Sequence, residues 1–113
     1  MENHSEIDFD RTIIEDRKIT DYLMNEEHPR GKNKAIVFMS RGFSKERVVE
    51  FKNRLVQHAK ENKIILREET IFGAMYIIEG KINAPEGRVL NIRSVWIVEN
   101  RQNFPKFVTA YPI

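Results

Sequence analysis

The stretch MYIIEGKINAPEGRVLNIRSVWIVE, residues 75–99, decides the fold of this chain. Apolar residues recur at alternate positions on both sides of APEG, the period of a pleated strand with one face buried. Pro85 fixes one backbone angle and Gly87 is free to take positive φ, so Ala84–Gly87 reads as a tight hairpin turn. The spacing predicts strands over Met75–Asn83 and Arg88–Glu99. Along the second of these, Leu90, Ile92, Trp96 and Val98 point one way with Ser94 among them, and Asn91, Arg93, Val95 and Ile97 point the other.

Two further segments share this period, Ile64–Phe72 before the hairpin and Lys106–Tyr111 after a longer turn over Glu99–Pro105. The residues ahead of them read as helices. Val48, Phe51, Leu55 and Ala59 form one apolar stripe with Val56 beside it, Ser44 is placed to cap the start, and the helix ends near Asn62. Ala35, Ile36, Phe38 and Met39 predict a shorter helix stopped by Gly42. Ile19, Tyr22 and Leu23 predict another from Lys18 to near Asn25, with the turn His28-Pro29-Arg30-Gly31 between the two. The fold class expected is α+β, with N-terminal helices packed on one face of a four-stranded antiparallel meander.

Bulk properties fit one domain. The chain has 113 residues, 41% hydrophobic and 32% charged, and no cysteine, which excludes disulfides and thiolate metal sites and suits a reducing cytoplasm. No apolar run approaches the roughly 20 residues of a membrane span, and the acidic start MENHSEIDFD is not a secretory signal. Residues 1–16 carry Glu2, Glu6, Asp8, Asp10, Glu15 and Asp16 against Arg11 alone, although the net charge is +2. They read as a flexible acidic leader, with a basic α+β domain over 17–113 that suits a polyanionic partner. His4 and His58 call for no role, and the histidines are too scattered for a metal cluster.

With helices on one sheet face, the open face is expected to carry Glu79, Lys81, Asn91, Arg93, Thr109 and Tyr111. Phe107 shares parity with Thr109 and Tyr111, so a regular fourth strand would set that aromatic on the open face as well. Cations, hydroxyls and an aromatic on one face can hold a phosphate and stack a base.

DYLMN (Asp21–Asn25), HPRGKNKAIVF (His28–Phe38), RSVWIV (Arg93–Val98) and FPKFVTAYPI (Phe104–Ile113) together resemble an uncharacterised bacterial domain family. Its members, of unknown function, occur as small free-standing proteins and at the C-termini of larger toxins. The family is similar in layout to the barnase–EndoU–colicin–RelE group of metal-independent ribonucleases. That resemblance covers residues 17–113 and implies RNA cleavage by the substrate's own 2′-hydroxyl, with no cofactor and no metal. A base would take the hydroxyl proton, an acid would protonate the leaving 5′-oxygen, and cations would hold the charge on phosphorus. His28, Arg93, Thr109 and Tyr111 are the catalytic candidates it implies: His28 as acid or base, Arg93 on the phosphate, Thr109 and Tyr111 as donors. Lys34, Lys81, Asn91 and Ser94 are the substrate-binding candidates. RNA and a small antitoxin or immunity protein are the partners implied, with no membrane.

Two other functions compete. An inhibitor or adaptor would use the open sheet face to bind protein without chemistry. A helix-turn-helix over residues 18–41 fits less well, because Ile36, Phe38 and Met39 stand where base-reading side chains would.

Overall fold

A computed structural model describes residues 7–19 and 37–113 of the chain, the Lys45 side chain apart. At the APEG turn Glu86 and Gly87 both take positive φ, 62° and 75°, and the Ala84 N–H donates to the Arg88 carbonyl at 2.8 Å. From it β2 (Gly73–Asn83) and β3 (Val89–Glu99) run antiparallel in unbroken register, Asn83 opposite Val89 and Gly73 opposite Glu99. β1 (Lys63–Glu69) pairs outside β2 and β4 (Lys106–Pro112) outside β3, giving the four-stranded meander in the order β1-β2-β3-β4. β1 stops short of the expected Phe72 because Thr70 closes the turn. Its hydroxyl donates to the Gly73 carbonyl at 2.8 Å and accepts from the Phe72 and Gly73 N–H groups.

α3 (Val48–Glu61) buries Phe51, Leu55, His58 and Ala59, a stripe at helical spacing, and lies against β2. Beneath it are the fully buried Ile78, Ile82, Ile92 and Trp96. Ser44 does not cap α3. A 3-10 turn, Lys45–Arg47, intervenes, in which the Arg47 N–H donates to the Ser44 carbonyl at 3.2 Å while the Ser44 side chain makes no cap bond. Residues 37–40 (α2) are helical and run into Gly42, φ 98°. Phe38 and Phe43 fold onto Phe51, with Phe43 stacked on it at 4.4 Å. A short helix, α1 (Asp16–Lys18), precedes Ile19, and of the helix expected from Lys18 to near Asn25 only Lys18 and Ile19 are described. Its remainder and the His28–Gly31 turn lie outside the described residues. Among those described, no helix is long and apolar enough to cross a membrane.

Residues 7–16, in the segment expected as a flexible leader, lie against the domain. Ile7, Phe9 and Ile14 are buried in the core, and Phe9 meets Trp96 edge-on at 5.7 Å. Ile13 bridges Lys106 in parallel, donating to the Pro105 carbonyl at 3.0 Å and accepting from the Phe107 N–H at 2.9 Å. The acids here serve the fold: Asp10 pairs with Lys60 at 2.7 Å and Asp16 with Lys52, both cations of α3. The apolar residues between the acids give the segment enough to bury.

β4 resolves the parity of Phe107. The register shifts between Val95 and Trp96: Trp96 faces Phe107 while Val95 faces Thr109, leaving Val108 as the extra residue of a bulge. Phe107 therefore turns inward and is 2% exposed, its ring 5.2 Å from that of Trp96. Thr109 and Tyr111 stay aligned with Val95 and Arg93 on the open side.

Candidate functional site

Each residue of the open face is set by the register around APEG. Lys63, Glu79, Arg93 and Tyr111 form one row across the four strands. The Arg93 Nε donates to Glu79 Oε2 at 2.5 Å, and Nη2 meets the same oxygen. The guanidinium carbon lies 5.8 Å from the centre of the Tyr111 ring. Hydrogen bonding to Tyr111 and then to Glu79 raises the Arg93 pKa, so the group keeps its charge. Lys81 faces Asn91 in the next row on one side. On the other side, Leu66, Ile77, Val95 and Thr109 make a row that is apolar except at its end. The Thr109 Oγ1 is buried and finds no hydrogen-bond partner among the described residues.

Of the sequence candidates, Arg93, Tyr111, Thr109, Lys81 and Asn91 thus share one face. Ser94 lies on the other. It is 0% exposed, its Oγ accepting from the Trp96 indole N–H at 2.8 Å and lying 3.0 Å from His58 Nε2. His58 Nδ1 is 3.1 Å from the Lys81 carbonyl, which can only accept, so Nδ1 carries the proton and Nε2 accepts from Ser94. Asn62 closes the group by donating to the carbonyls of His58 and Lys81 at 2.8 and 3.1 Å. Burial lowers the His58 pKa below its ordinary value. The hydroxyl of Ser94 is committed to the core, so it does not reach a substrate on the open face. His28 and Lys34 lie outside the described residues.

Two residues matter beyond the sequence candidates. Glu79 stands opposite Arg93, a pairing that equal steps from the APEG turn require. His58 falls on the same buried stripe of α3 as Phe51 and Leu55, the spacing that signals its place in the core. A cleft of about 490 Å³ between residues 9–14 and α3 is lined by Lys52 and Lys60 among others. Those lysines are engaged by Asp16 and Asp10, which makes it a poor anion site.

A family model described as a domain of unknown function, DUF6883, matches residues 6–113. No curated protein matches the chain. Among solved structures, a chain of a contact-dependent growth inhibition toxin–immunity protein complex from Klebsiella pneumoniae 342 is similar, with a TM-score of 0.67 and 18% identity. The match covers 92% of this chain and 95% of that one. At that identity the likeness is one of fold.

Proposed function

The chain belongs to the DUF6883 family, a domain of unknown function, and from its open sheet face we propose that it is a toxin-like, metal-independent endoribonuclease domain. It cleaves RNA by attack of the substrate's 2′-hydroxyl on the adjoining phosphorus, releasing the 5′-oxygen and leaving a 2′,3′-cyclic phosphate. The observation that carries this reading is the contact of Arg93 with both Glu79 and Tyr111 in one row, with Thr109 in the next. A guanidinium beside a phenol is suited to hold a phosphate and the charge that grows on its oxygens. Glu79 is suited to accept the hydroxyl proton and His28 to protonate the leaving oxygen. Lys81 and Asn91 in the neighbouring row are suited to contact the RNA backbone, and Lys34 is a further cation for it. Fold likeness to a chain from a toxin–immunity complex supports a toxin role, and a toxin working in a cytoplasm needs a small immunity protein to restrain it.

A second reading, a non-enzymatic interaction module, is favoured by the apolar half of the same face. There Leu66 is 48% exposed beside Ile77 and Val95. The two are separated by incubating purified protein in EDTA with total bacterial RNA and tRNA, beside His28→Ala and Arg93→Ala. Discrete fragments, slowed by about 10²–10⁴-fold in the variants, support the nuclease. Intact RNA with folded wild-type protein overturns it in favour of the interaction module.

A further inference from the structure

The two edges of the sheet differ. β4 takes a parallel bridge from Ile13 at its first residue, Lys106. β1 is open: among the described residues nothing pairs with its outer side, and Ile65 and Leu66 are 49% and 48% exposed on it. Ile65 is also the extra residue of a bulge and has no partner on β2. An open edge with apolar side chains is a template for another strand unless its charges forbid it.

The charges of this edge permit one partner in particular. Turned back on itself, the sequence KIILRE (Lys63–Glu68) sets Lys63 against Glu68 and Ile65 against Leu66. Lys63 and Glu68 stand opposite Glu79 and Met75 of β2, and both therefore belong to the open face. We propose that β1 pairs antiparallel with β1 of a second copy of this chain, about a twofold axis between Ile65 and Leu66. The two sheets become one continuous sheet, closed by two reciprocal pairs of Lys63 with Glu68 of the other copy. Register is fixed, because a slip of one residue either way opposes Lys63 to Arg67 or to Glu69 of the other copy, and both stand opposite inward residues of β2, Tyr76 and Ala74, so their side chains belong to the opposite face.

Two other exposed residues fall into place. Ile71 and Phe72 are 85% and 69% exposed on the β1–β2 turn, which is pinned by the Asn100 side chain on the Ile71 carbonyl at 2.9 Å. Beyond Glu68 they reach the α3–β1 junction of the other copy, which gives an exposed apolar tip something to cover it. The twofold relation is isologous and self-limiting, so it ends at two copies. It also puts both Arg93 rows on the same side of the joined sheet.

Sedimentation over roughly 1 µM to 1 mM tests this, using the wild type, Lys63→Glu, Glu68→Lys and the double exchange. Both positions are exposed, and far-UV circular dichroism checks that each variant is folded. The wild type is expected to double from 13.4 kDa as concentration rises. Each single variant, with like charges opposed, dimerises about tenfold more weakly or worse, and the double exchange recovers wild-type association. A wild type that stays at monomer mass, single variants that associate normally, or a double exchange that fails to recover each overturns the proposal.

Discussion

Arg93 stands directly opposite Tyr111 across the β3–β4 pair, with its guanidinium carbon 5.8 Å from the ring centre and Glu79 holding its other side. That relationship depends on the bulge at Val108. Were every residue of β4 paired regularly, Val108 included, Tyr111 would fall opposite Ile92 in the inward phase of Phe107 and the arginine would face no aromatic. The bulge thus lets one short strand supply both a core aromatic and a surface phenol.

Arg93 is expected to be intolerant of its nearest chemical relative. On the nuclease reading proposed above, Arg93→Ala removes the guanidinium that would hold the phosphate, and RNA cleavage is expected to fall by about 10²–10³-fold. Arg93→Lys keeps the charge but not the planar geometry, so it recovers little. Initial rates on a short labelled RNA read both effects, and full activity in Arg93→Lys would argue for charge alone.

The buried Ser94 gives a prediction about stability. Ser94→Ala leaves His58 Nε2 and the Trp96 indole N–H without partners. Each orphaned group costs about 1–3 kcal/mol. Urea unfolding followed by the fluorescence of Trp96, the one tryptophan, measures the loss. An unchanged midpoint would mean that the hydroxyl is dispensable.

His58 makes stability depend on pH. Burial depresses its folded pKa below the ordinary 6.5. Above about pH 6.5 the imidazole is neutral in both folded and unfolded chains and contributes no slope. As pH falls below that value the unfolded chain takes up the proton first, so stability declines and then levels beneath the folded pKa. Urea midpoints between pH 7.5 and 5 are expected to fall, and to fall less steeply in His58→Gln.

Much of this was legible in the sequence, and the exceptions have physical causes. The β2–β3 hairpin was readable because strand period and turn chemistry agree around APEG. The bulge was not, since FV at Phe107–Val108 satisfies an apolar pattern in either phase. The segment at residues 7–16 was hidden by its acids, yet Ile7, Phe9 and Ile14 supply an apolar contribution that composition alone discounts. His58 was overlooked because a histidine interrupts the apolar alphabet of its stripe without leaving its spacing.

The role of residues 7–16 is tested by Phe9→Ala, which empties the edge-on contact with Trp96. A loss of about 3–5 kcal/mol is expected, measured as a lowered thermal midpoint. A truly loose leader would give no change.

The most direct measurement compares two RNA oligonucleotides that differ by one atom, an all-ribose strand and the same strand with a single 2′-deoxy nucleotide at the cut position. In EDTA the wild-type protein is expected to cleave the first, leaving a 2′,3′-cyclic phosphate, and to leave the second intact at that position. Equal cleavage of both strands, or cleavage of neither by the folded protein, would contradict attack by the 2′-hydroxyl at the Arg93–Tyr111 face.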